Sequence, residues 1–132
     1  MEIYLKIAGV ILIVLGIVHI AFPKRFNWKD ELLPLSLINR QMMMVHTFFI
    51  ALTVFMMGIL SFFYSDQLLT NQFGKVISLG LAIFWSIRLV FQFFVYSKEL
   101  WKGKTFETIM HIVFAITWIY LTLVFCSTAF QT

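Results

Sequence analysis

Charged residues are scarce in this chain. They occupy 12% of its 132 positions, while 61% are hydrophobic. A soluble domain of that length has too much surface for its volume to bury so many apolar side chains. A lipid-facing surface removes the difficulty. Cysteine occurs once, as Cys126. A lone cysteine closes no internal disulfide and forms no CxxC pair, so cysteine usage does not assign a redox compartment. The pattern HExxH, the pattern CxxCH and a carboxylate-rich di-metal set are all missing. No serine or cysteine nucleophile stands beside a histidine, which disfavours hydrolysis through a covalent intermediate. No repeat halves the chain by sequence identity, and there is no low-complexity or disordered stretch.

What the chain does have is long apolar runs. The fullest is Met42 to Phe63, entered through the polar triplet Asn39-Arg40-Gln41. A helix over such a run covers roughly 33 Å, enough to cross a bilayer. Three comparable runs predict helices over about 3–22, 75–96 and 105–129. The reading is all-α: an integral membrane protein, folded as an antiparallel up-down bundle of four transmembrane helices in one domain over 1–132. The first run is expected to stay as an uncleaved anchor, because Val18-His19-Ile20-Ala21 lacks the small-x-small cleavage pattern. Pro23 marks its boundary. Gly9 and Gly16 allow close approach by a neighbour, and Ser78, Ala82 and Ser86 form a small-residue face.

The connectors carry the topology. Residues 24–39 are too apolar for a water loop and are expected along the membrane surface, turning at Pro34, with Phe26 and Trp28 at headgroup level. Residues 64–74 read as a short turn. Residues 97–104 form the third connector, with Trp101 as an interfacial anchor and the Thr105 hydroxyl capping the last helix. Seven basic residues, Lys24, Arg25, Lys29, Arg40, Lys98, Lys102 and Lys104, fall on one side, against Lys6 and Lys75 on the other. That bias predicts cytoplasmic charged connectors and both termini outside. The formal charge of +4 therefore reads as topogenic and not as a nucleic-acid interface.

Each predicted helix carries a polar residue at nearly the same depth. His19 lies four residues before Pro23 and His46 four after Met42, each about 6 Å inside. Arg88 and Gln92 share a face of the third helix, with Trp85 three residues before Arg88. Glu107 and His111 share a face of the fourth, continued by Ala115 and Trp118. An arginine is costly in lipid and should point into the bundle or an aqueous cavity. The expected pocket is therefore lined by His19, His46, Arg88, Gln92 and His111. Trp85 and Trp118 form its walls, Glu107 stands at its mouth, and Asn39, Arg40 and Gln41 edge it. The consecutive Met42, Met43 and Met44 fan around their helix and read as packing or lipid-facing residues rather than copper ligands.

Three functions fit this layer. The first is a metal-free pocket for a lipid-like or anionic small molecule. Arg88 would hold the anion, and a histidine would be available to move a proton. Enzymatic and non-enzymatic forms are equally compatible, and no catalytic residue is assigned. The alternative is a haem or transition-metal site using His19, His46 and His111. The third is a structural or accessory subunit whose polar layer only packs helices. A homo-oligomer or a larger membrane complex is compatible with each.

Overall fold

The computed structural model describes residues 1–131. The chain is 86% helical, with no strand among the described residues. Its elements are α1 (Glu2–Val18), a 3₁₀ turn (His19–Ala21), α2 (Phe22–Arg25), α3 (Trp28–Glu31) and α4 (Leu37–Phe63). Then come α5 (Ser65–Thr70), α6 (Gln72–Phe94), a 3₁₀ turn (Lys98–Leu100) and α7 (Thr105–Phe130).

Four helical stretches are long and apolar enough to cross a membrane: Glu2–Arg25, Leu37–Phe63, Gln72–Phe94 and Thr105–Phe130. In the most apolar window of each, at most 28% is buried. Val10, Val14 and Ile17 on α1, Phe48, Phe49 and Met56 on α4, and Ile83, Ile87 and Val90 on α6 are all exposed. So are Ile109, Ile112 and Ile116 on α7. Apolar exposure on this scale marks a surface made for something other than water.

Several boundaries differ from the sequence expectation, each for a local reason. The second span starts at Leu37, not near Met42, because Ser36 caps it: its hydroxyl accepts the Asn39 N–H at 3.4 Å. Asn39, Arg40 and Gln41 are thus its first turns rather than a lead-in. The segment expected as a turn at 64–74 holds a helical turn, α5, with Leu68 buried. The Asn71 side chain then accepts the Phe73 N–H at 2.8 Å and starts α6. Thr105 does not cap α7. The N-cap position is Lys104, with no side-chain bond, and the Thr108 hydroxyl instead donates to the Trp101 carbonyl at 2.7 Å. Pro23 does not stop the first helix. It sits in the first turn of α2, and the tightening falls earlier, at His19–Ala21. Pro23 has no N–H to offer the His19 carbonyl, so the Phe22 N–H takes that acceptor in a shorter 3₁₀ bond.

The described residues fall into two compact units, and α1 contributes to both. In the unit of residues 6–64, α1 and α4 meet at glycines. A Cβ built on Gly9 would lie 2.8 Å from the Gly58 carbonyl oxygen, and one on Gly16 would lie 3.0 Å from that of Ala51. The backbones touch because no side chain separates them.

The other unit holds residues 1–5 and 65–131. Here α6 packs along α7, with α5 against both. Leu81, Ala82 and Trp85 on α6 and Ala115, Trp118, Leu121 and Phe125 on α7 are buried. Ser78 and Thr128 are buried too, and each returns its hydroxyl to the carbonyl four residues back. The Tyr120 hydroxyl donates to the Tyr4 carbonyl at 3.0 Å, tying the first residues of α1 to α7.

Candidate functional site

The polar residues of α6 and α7 form one connected group. On α6, Trp85, Arg88 and Gln92 recur at spacings of three and four. On α7, His111, Phe114 and Trp118 do the same. Both sets are helical stripes.

Gln92 is the hub and is 5% exposed. Its Oε1 accepts from Trp118 Nε1 at 3.1 Å and from Arg88 at 3.3 Å. Its Nε2 lies 2.7 Å from His111 Nδ1. The chemistry fixes the proton positions. An indole N–H and a guanidinium only donate, so the amide oxygen must face them. The amide nitrogen then faces His111, so Nδ1 accepts and a neutral His111 carries its proton on Nε2.

Aromatic rings surround this group. Trp118 stacks with Trp85, at 5.1 Å and 13°, and with Phe114, at 5.6 Å and 10°. His111 stacks on Trp101 at 3.8 Å and 15°, with Phe93 edge-on at 5.9 Å. The Arg88 guanidinium lies 4.9 Å from the Trp118 ring and 5.3 Å from that of Tyr96, both within cation–π range. Its contacts are therefore one amide oxygen and two ring faces. No carboxylate among the described residues pairs with it. One of its five N–H donors is used, which leaves four without an acceptor among the described residues. One indole N–H is also unpaired: Trp85 Nε1 is buried with no hydrogen-bond partner among the described residues.

The structure thus brings together Trp85, Arg88, Gln92, His111 and Trp118 from the expected set. Glu107 is exposed in the first turn of α7 and makes no hydrogen bond or ion pair among the described residues. The remaining expected residues belong to the unit of residues 6–64. His19 is half-buried at the end of α1, where its Nδ1 lies 2.7 Å from the Leu15 carbonyl and so carries the proton. Its ring packs at 4.6 Å from Phe22. His46, Asn39 and Gln41 are exposed on α4. Arg40 is half-buried and lines a cleft with Trp28 and Lys29. No group of three or more His, Cys, Asp or Glu able to hold a metal occurs among the described residues.

Trp101 and Tyr96 were not foreseen as site residues. Tyr96 lies two residues beyond the end of α6 at Phe94, where helical spacing no longer assigns a face. Trp101 sits in the 97–104 connector, where no periodicity reaches. Its placement depends on the Thr108 hydroxyl holding its carbonyl.

The two histidines with assigned bonds should differ in tautomer. Nitrogen-15 NMR of the neutral protein is expected to show His111 protonated at Nε2 and His19 at Nδ1. A shared tautomer would break the network described above.

No protein-family model matches the chain, and neither a curated protein nor a solved structure matches it.

Proposed function

We propose that this chain is a multi-pass integral membrane protein that binds the anionic group of a lipid-like or small molecule at Arg88. Four apolar spans support the membrane reading. In it, the spans form an antiparallel up-down bundle, the two basic connectors are cytoplasmic, and both termini are outside. Seven basic residues against two support that orientation.

The observation that carries the binding reading is the isolation of Arg88. A guanidinium inside an apolar span is expensive unless something neutralises it. Here it has aromatic faces and one amide oxygen but no carboxylate among the described residues. A carboxylate or phosphate from outside the chain would supply both the charge and the missing acceptors. Trp118, Tyr96 and Trp101 offer apolar walls to its hydrocarbon part.

A second reading has its own support. Gln92 bonds both His111 and Trp118 across from α6 to α7, so the layer also joins those helices. The two readings part at Arg88, whose hydrogen bond stays within α6.

The test is a titration of purified protein in neutral detergent with dodecyl phosphate, dodecanoate and dodecanol, read by tryptophan fluorescence. The two anions are expected to bind, and Arg88→Gln should weaken them about 10- to 100-fold, the worth of a charged hydrogen bond. Equal binding of dodecanol, or an unchanged Arg88→Gln, would leave only the packing reading. Orientation is tested separately with an impermeant maleimide on a Cys126→Ser background. Asp66→Cys is expected to label in intact cells and Lys102→Cys only after permeabilisation. The reverse pattern would invert the topology.

A further inference from the structure

The unit of residues 6–64 contains a second basic feature, away from any histidine chemistry. A cleft of about 450 Å³ opens where α2, α3 and the start of α4 come together. Lys24, Lys29 and Arg40 line it, with Pro23, Trp28 and Leu32 as its apolar surface. We propose that this cleft binds the phosphate group of an anionic membrane phospholipid, a proposal that rests on the membrane reading above but not on the Arg88 site.

Three observations carry it. First, none of the three cationic side chains has a hydrogen bond or carboxylate partner among the described residues. Asp30 and Glu31 stand in the adjoining α3, yet neither lines the cleft. Three like charges around one cavity repel each other until an anion enters. Second, Arg40 lies in the first turns of α4, near the end of the helix dipole that favours anions. Third, the cleft lies where two membrane-length helical stretches, Glu2–Arg25 and Leu37–Phe63, end and begin. That is headgroup depth in a bilayer. A lysine and arginine cluster at this depth matches anionic headgroups, and Trp28 is the residue type that settles there. The apolar wall of Pro23, Trp28 and Leu32 suits the glycerol and upper acyl part of a lipid better than a free ion.

The four tryptophans make the test specific, since Trp28 lies in the cleft while Trp101 and Trp118 belong to the Arg88 site. The full chain, labelled with 5-fluorotryptophan, is titrated in neutral detergent with dihexanoyl phosphatidylglycerol, dihexanoyl phosphatidylcholine and inorganic phosphate. Fluorine NMR is read at each resonance, with Trp28→Phe giving the assignment. The phosphatidylglycerol probe is expected to shift the Trp28 signal to saturation, leaving Trp118 and Trp101 unmoved. Arg40→Ala should weaken this about tenfold or more, and Arg40→Lys less, because lysine keeps the charge but loses the fork. Lys29→Glu, at an exposed position, should weaken it as well. Native Trp118 and Trp101 signals in each variant show that the fold is kept. Equal shifts from phosphatidylcholine would overturn the charge recognition. Saturation by inorganic phosphate at the same concentration would overturn the lipid assignment. Shifts at Trp118 without Trp28 would place the lipid at Arg88 and overturn the second site.

Discussion

Gln92→Glu is expected to weaken anion binding at Arg88 at least about tenfold while keeping the protein folded. The substitution changes one atom of the hub and leaves its shape. The new carboxylate would still accept from Trp118 Nε1 and from Arg88, whose existing bonds to Oε1 are 3.1 and 3.3 Å. It would also supply the charge that Arg88 lacks. An internal counter-ion competes with any external one, so affinity for dodecyl phosphate should fall at least about tenfold. Burying the new carboxylate has a cost, but pairing it with a guanidinium already present offsets much of that. The same change reverses the demand on His111. Nδ1 would now face an acceptor, so nitrogen-15 NMR should find its proton there. Gln92→Leu is the contrasting variant. It leaves Arg88, Trp118 and His111 each short of a bond. Three lost hydrogen bonds at about 0.6 kcal/mol each, a typical intramembrane value, predict a loss of about 2 kcal/mol. If Gln92→Glu bound dodecyl phosphate as tightly as the wild type, Arg88 would not be the anion site.

The second large effect concerns backbone contact. Gly74→Ala is expected to disrupt the junction of α5 and α6. A Cβ there would overlap the Gln67 carbonyl oxygen and come within 2.7 Å of the Leu68 Cα. Both are backbone atoms and cannot swing aside. Gly58→Ala meets a similar obstacle, with the Ile13 nitrogen at 2.7 Å and the Gly9 oxygen at 2.8 Å. Overpacking of this kind costs about 1–3 kcal/mol, and more where only backbone can yield. Gly80 is the control, because nothing lies within 4 Å of its Cβ position. Gly80→Ala should be neutral or stabilise by up to about 1 kcal/mol, from helix propensity alone. Thermal unfolding of the three variants in one detergent checks the order. Gly80→Ala falling with the other two would show that the effect is not steric.

The parts of the fold visible in the sequence are those set by length and apolarity. Four runs were long enough to cross a bilayer, and four such helices are present. Helix ends were harder to read, because single side-chain bonds decide them. Asn39, Arg40 and Gln41 look like a loop until the Ser36 cap draws them into α4. The stretch before Gly74 looks polar, yet Leu68 anchors a helical turn there. Within the site, Arg88 and Gln92, and His111 and Trp118, were legible because each pair shares a helix face. That Gln92 would join the two faces was not legible, since spacing within a helix says nothing of which neighbour it meets. The sequence alone marks Trp101 as an interfacial anchor, and its stack on His111 follows only from the path of the 97–104 connector.

The central claim is that an external anion completes the coordination of Arg88. Its most direct test is nitrogen–phosphorus dipolar NMR on protein labelled at arginine side chains and loaded with dodecyl phosphate in neutral detergent. Arg25→Lys with Arg40→Lys removes the other two arginines of the chain from the spectrum. A coupling from the Arg88 guanidinium that corresponds to direct contact is expected, with N···O distances of about 2.8 Å, and it should be lost in Gln92→Glu. A bound phosphate with no coupling to Arg88 would contradict it.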